Sequence, residues 1–164
     1  MIIVDTGFWV ALFNNKDQYH LIAQQTLAQY SYQPLITTWC VLTESCHLLL
    51  QRSPNLYTGV EKQIKLMNVF ERHPQKFLLF HLENTHLERI QDLMKQYQSL
   101  PMDLADASLV ILAEELGNGR ILSIDNRDFL TPMTAVISKN GVGKSTLFDA
   151  FGFLSDCLKG GVSR

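Results

Sequence analysis

Short apolar runs alternate with longer amphipathic stretches, and this alternation constrains the fold more than any other feature of the sequence. Apolar runs that predict buried strands occupy residues 2–4, 34–37, 77–80, 121–124 and 133–137. Between and after them, apolar residues at helical spacing predict helices at 7–13, 17–30, 38–50, 56–70, 84–97, 103–116 and 144–158. Because strands separated by helices usually pair in parallel, we expect an α/β fold: a central parallel sheet of four to five strands, with helices on both faces.

Composition narrows the class of protein. The chain has 164 residues, 46% of them hydrophobic and 18% charged, which favours one folded domain over a disordered chain. A net charge of −2 argues against a strongly basic nucleic-acid binder, although a local basic groove stays possible. No apolar run reaches the ~18 residues of a membrane helix, and no secretory signal begins the sequence. Three cysteines without CxxC spacing indicate reduced thiols in a cytoplasmic protein.

Two of the predicted strands end in an aspartate, Asp5 and Asp125. Ligands of open parallel sheets bind outside the carboxyl ends of the strands, so these two acids are expected at one edge. Each also has a simple structural explanation, because Asp is a favoured helix cap. At this point both interpretations remain open.

Further acids fall within predicted helices. Glu44 lies in an apolar helix, and Glu is rarely buried without a partner. Asp103 and Asp106 open another helix, where capping and the helix dipole favour acids. If Asp5, Glu44, Asp106 and Asp125 meet at one edge, their mutual repulsion calls for a divalent cation. Carboxylate oxygens suit Mg²⁺ or Mn²⁺, and such an ion can promote hydrolysis of a phosphodiester.

Four short motifs in a fixed order carry a family resemblance. They are IIVDT at 2–6, TES at 43–45, LADASL at 104–109 and ILSIDNRDF at 121–129. With them, residues 1–130 resemble a PIN domain, in particular the VapC-type toxin endoribonucleases. The resemblance implies a PIN-like three-layer α/β/α fold and Mg²⁺- or Mn²⁺-dependent hydrolysis of single-stranded or structured RNA. It also implies a toxin–antitoxin system, with a VapB-type antitoxin as partner and a homodimer.

The resemblance also assigns roles to residues. The catalytic residues, which are also the metal ligands, would be Asp5, Glu44, Asp106 and Asp125. The supporting residues would be Thr6, Ser123, Asp103 and Asp128. Basic residues that are candidate phosphate contacts, although each is more simply a solvated surface charge, are Arg52, Lys62, Lys65 and Arg127.

Residues 131–164 depart from this family. The segment SKNGVGKST at 138–146 resembles the Walker A start of ABC/AAA-type ATPases, in which a loop before a helix cradles phosphates. Gly143, Lys144 and Ser145 are its candidate phosphate-binding residues. Because only 20 residues follow Lys144, we interpret the tail as a truncated P-loop fragment rather than an independent domain. The alternative function is an inactive or nucleotide-binding PIN/ATPase fusion remnant.

Overall fold

Four strands form one parallel sheet in the computed structural model, which describes residues 1–99, 102–117 and 120–124. The strands are β1 (Ile2–Val4), β2 (Leu35–Thr38), β3 (Phe77–Phe80) and β4 (Ile121–Leu122). Their order across the sheet is β3-β2-β1-β4, and Ile3 of β1 pairs with Ile36 on one side and Ile121 on the other. The predicted parallel α/β sheet is confirmed with four strands, while the predicted strand at 133–137 lies outside the described residues.

Six α-helices connect or follow these strands in the described residues. They are α1 (Thr6–Phe13), α2 (His20–Gln29), α3 (Trp39–Gln51), α4 (Leu56–Arg72), α5 (Leu87–Gln96) and α6 (Leu104–Leu116). The helix predicted from residue 17 begins three residues later, because the side chain of Asp17 accepts the N–H of Tyr19 and its carbonyl accepts that of His20. No helix of the described residues is long and apolar enough to cross a membrane.

The core lies around β1 and the apolar length of α6. Ile3 and Val4 are fully buried, and so is Trp9 of α1, whose ring packs edge-on against Phe70 of α4. Helix α1 packs against α2, α3 and α4, while α6 packs against α5 and also contacts α3. The small Gly59 allows α4 to approach the backbone of Leu50 closely, since a Cβ there would lie 3.0 Å from the Leu50 Cα.

Strand order determines where a ligand can bind. The chain passes outward from β1 to β2 and β3, and then returns to place β4 on the other side of β1. This reversal leaves a crevice outside the carboxyl ends of β1 and β4, which is the usual ligand position in open α/β sheets. Asp5 directly follows β1, and Ser123 directly follows β4. Polar side chains from both strands therefore meet at the predicted edge.

Candidate functional site

Asp5 is held at the edge of the sheet by two hydrogen bonds to its carboxylate. Its Oδ1 accepts the backbone N–H of Phe8 at 2.9 Å, which makes Asp5 the N-cap of α1. Its Oδ2 accepts the hydroxyl of the buried Ser123. The residue is only 8% exposed. The same carboxylate therefore caps α1 with one oxygen and accepts a hydrogen bond from the residue after β4 with the other.

Glu44 approaches the same region from α3. Its Oε2 accepts the hydroxyl of Thr6, the first residue of α1, so the supporting residue predicted next to Asp5 contacts Glu44. Burial raises the pKa of Glu44, and the negative charge of Asp103 raises it further, while the Thr6 hydrogen bond opposes the change. The Glu44 carboxylate is therefore partly buried and held by the Thr6 hydroxyl at one oxygen.

Asp106, on α6, is an acid whose pKa is strongly raised. It lies in the first turn of α6, where Asp103 is the N-cap and accepts the Asp106 backbone N–H at 2.8 Å. Burial raises the pKa of Asp106 to about 7, and the charges of Asp103, Glu44 and Asp5 add to this effect. The charge of Asp106 is therefore disfavoured by acids from two other segments of the chain, Glu44 on α3 and Asp5 after β1.

These acids do not by themselves form a complete metal site. Among the described residues, no three His, Cys, Asp or Glu side chains are near enough to one another to hold a metal ion. The fourth predicted ligand, Asp125, and the supporting Asp128 lie outside the described residues. The same holds for Gly143, Lys144 and Ser145, the candidate phosphate-binding residues of the tail. Carboxylate oxygens are nevertheless the type of donor that a hard divalent cation prefers. Burial is the main cause of the raised pKa of Asp106, and the charges of Asp103, Glu44 and Asp5 add to it.

An open groove of about 560 Å³ runs beside the acids, between the first turns of α3 and the start of α6. Its lining residues are Trp39, Cys40, Thr43, Glu44 and His47 on one side and Asp103, Leu104 and Ala105 on the other. Glu44 thus lies both among the acids at this edge of the sheet and in a groove of the size that ligand sites usually have.

Two side chains lie elsewhere than their residue types predict. Trp39 lies in the apolar sequence of α3 but is 49% exposed and lines the groove. Its position directly after a strand is the same signal that points to Asp5, and it would have indicated a site residue. Lys62 is not a solvated charge: it is buried, and its Nζ donates to Asn14 Oδ1 at 2.9 Å, so it is not available to a phosphate.

The described residues thus form a parallel α/β fold with Asp5 and Ser123 at the carboxyl edge of its sheet. The sequence model of the PIN domain matches residues 2–130, and the chain belongs to the PIN domain family. No curated protein matches the sequence. A crystal structure of VapC20 from Mycobacterium tuberculosis, described as a Sarcin-Ricin loop cleaving toxin, is similar in fold, with a TM-score of 0.62 and 22% sequence identity. The similarity covers 76% of this chain and 90% of that chain.

The family match ends at residue 130, and no comparison supports the ATPase-like interpretation of residues 131–164. The resemblance to a PIN domain that the four motifs predicted is confirmed.

Proposed function

We propose that this chain is a metal-dependent endoribonuclease, the toxin component of a VapC-type toxin–antitoxin pair, and that residues 1–130 form its functional domain. The observation that carries the proposal is the geometry at one edge of the sheet: the carboxylate of Asp5 accepts the hydroxyl of Ser123 after β4, and that of Glu44 accepts the hydroxyl of Thr6, the residue after Asp5. Membership of the PIN family supports it, and so does the similarity in fold to a toxin described as cleaving the Sarcin-Ricin loop.

Asp5, Glu44 and Asp106, together with Asp125, would hold Mg²⁺ or Mn²⁺. When bound, such an ion supplies an activated water and stabilises the charge that develops on a phosphodiester during hydrolysis. The part of the protein is to hold the carboxylates in position beforehand. The hydroxyl of Ser123 orients Asp5 and that of Thr6 orients Glu44, so neither carboxylate would have to reorganise in order to hold a cation.

The function is tested by incubating the full chain with single-stranded and structured RNAs in the presence of Mg²⁺ or Mn²⁺. We expect cleavage that EDTA abolishes and that Asp5→Asn removes. Asparagine keeps the capping oxygen that accepts the Phe8 N–H, so this variant is expected to fold. Asp92→Asn on α5, which removes a charge from an exposed Asp92–Lys95 pair, is the matched control and should cleave as wild type. Equal cleavage by the Asp5→Asn protein would refute the site.

The proposed partners are RNA, a VapB-type antitoxin and a second copy of the chain. Helix α4 supports self-association, because it exposes Tyr57, Val60, Ile64 and Met67 at the 3-4-3 spacing of paired helices. Ile64→Glu should therefore convert a dimer to a monomer in light scattering. Lys65→Glu, which changes charge beside this row of residues, should leave the dimer intact. A monomeric wild-type protein would contradict the proposal.

A further inference from the structure

Trp39 is a large aromatic side chain held at the mouth of the acidic groove instead of in the core. It is the first residue of α3 and directly follows Thr38, the last residue of β2, so it stands at the same edge of the sheet as Asp5. It is 49% exposed and lines the groove together with Glu44. Neither coordination of a cation nor packing of the core accounts for an exposed indole at this position.

The indole of Trp39 is held in place by His81, the residue that directly follows β3. Its Nε1–H donates to Nε2 of His81 at 3.3 Å, and the two rings lie with centroids 5.9 Å apart. His81 directly follows β3, so the strand ends of β2 and β3 together set the position of the ring. An aromatic surface that is both exposed and positioned is suited to binding a planar ligand, because little side-chain freedom is lost on contact.

Across the groove, Leu104 at the start of α6 is 48% exposed. The groove thus has an aromatic and an aliphatic wall, with the carboxylate of Glu44 also in its lining. A nucleotide presents the matching chemistry, since its base has apolar faces and its phosphate requires a cation beside carboxylates. Single-stranded RNA is commonly bound by stacking its unpaired bases on aromatic side chains.

We propose that Trp39 is the base-stacking platform of this site, which holds an unpaired base of single-stranded RNA beside the carboxylates, and that His81 is the residue that positions the indole. The inference rests on the proposed nuclease function and adds to it a determinant of substrate binding. It requires single-stranded RNA, because the bases of a duplex are already stacked on one another.

Binding is measured on the full chain carrying Asp5→Asn, with Mg²⁺ present, by fluorescence anisotropy of a labelled single-stranded oligoribonucleotide. Trp39→Ala should weaken the affinity by about 5- to 150-fold, the range that loss of one stacked base corresponds to. Trp39→Phe retains an aromatic face and should retain most of the affinity. Tyr32→Ala removes an aromatic ring that is 98% exposed and outside the groove, and it should have no effect.

Tryptophan fluorescence gives a second readout. The chain has two tryptophans, and Trp9 is fully buried, so quenching by added RNA reports on Trp39. We expect quenching by single-stranded RNA and none by a duplex of the same sequence. In Trp39→Phe the quenching should disappear while binding persists. His81→Ala should weaken binding less than Trp39→Ala does.

The outcomes separate this inference from the proposed function. If the wild-type protein cleaves RNA but Trp39→Ala binds it with unchanged affinity, stacking is refuted and the nuclease remains; a docking role of Trp39 toward a partner protein would give this result. If single-stranded RNA quenches Trp39 and Trp39→Ala loses affinity, but the wild-type protein cleaves nothing, the nuclease is refuted and stacking stands. Equal quenching by duplex and single strand would overturn the inference.

Discussion

Replacing Asp106 by asparagine should make the metal-free protein more stable at alkaline pH. The pKa of Asp106 is raised from 3.8 to about 7, mainly by burial and then by the charge of Asp103. Between these two values the folded protein holds a proton that the unfolded chain has released. Stability therefore falls as pH rises through this window, and the loss is complete above about pH 7. The asparagine side chain of the Asp106→Asn variant has no charge to desolvate, so the variant should not show this loss.

The size of the effect follows from the pKa. At about 1.4 kcal/mol per pH unit, the difference between 3.8 and about 7 corresponds to about 4 kcal/mol of destabilisation above pH 7. Part of this is already present at pH 5, so the wild-type protein should lose about 3 kcal/mol more than Asp106→Asn between pH 5 and pH 8.

Urea unfolding in EDTA at pH 5 and pH 8, followed by circular dichroism, measures this difference. Asp92→Asn serves as the control for removal of an exposed acid and should follow the wild type at both pH values. Saturating Mg²⁺ should stabilise the wild-type protein at pH 8 more than at pH 5, because a protonated Asp106 is a poor ligand. If wild type and Asp106→Asn lose the same stability between the two pH values, the assignment of Asp106 as a crowded, buried acid is wrong.

Three further substitutions test how the site and its scaffold are held. Thr6→Val keeps the shape of the side chain but removes the hydroxyl that donates to Glu44. It should lower the free energy of unfolding at pH 8 by about 1.5–3 kcal/mol. No loss would mean that this hydrogen bond is not formed in solution. Gly59→Ala places a Cβ 3.0 Å from the Leu50 Cα. It should lower the free energy of unfolding, measured in urea, by about 1–3 kcal/mol. An unchanged urea midpoint would contradict the close packing of α3 and α4. Gly117 has a φ of +56°, and a Cβ added there would meet no atom within 4 Å. Gly117→Ala should therefore lower the free energy of unfolding, measured by thermal unfolding, by only about 1–2 kcal/mol. A larger loss would indicate a contact.

The position of the acids could be predicted from local patterns, but the strand order could not. The prediction of Asp5 at a strand end is confirmed, because an apolar run that stops at an acid is a local signal. The placement of β4 beside β1, which brings Ser123 to Asp5, depends on the return of the chain after β3. β1 can pair with another strand on either of its sides, and the packing of the whole sheet decides which strand lies on which side.

The exposure of Trp39 and the burial of Lys62 have one physical cause. The prediction of Lys62 as a solvated surface charge is wrong, because Lys62 is buried, while Trp39 in the apolar helix α3 is 49% exposed. Exposure is instead decided by which neighbouring helix covers the position. The start of α6 leaves Trp39 open to the groove, and the amide oxygen of Asn14 receives the buried ammonium of Lys62. No periodicity within a single helix contains that information.

Asp106 is the acid whose presence is hardest to explain by structure alone. The cost of burying its charge can be compared with the benefit that an acid brings at its position in the helix. Asp5 and Asp103 each accept a backbone N–H as a helix cap, so structure alone could account for them. Asp106 is not the cap of α6, and its remaining benefit is the helix dipole, which is worth at most about 2 kcal/mol. Against this stands about 4 kcal/mol of destabilisation at neutral and alkaline pH. A divalent cation held by these carboxylates would favour the charged form of Asp106 and so reduce this cost.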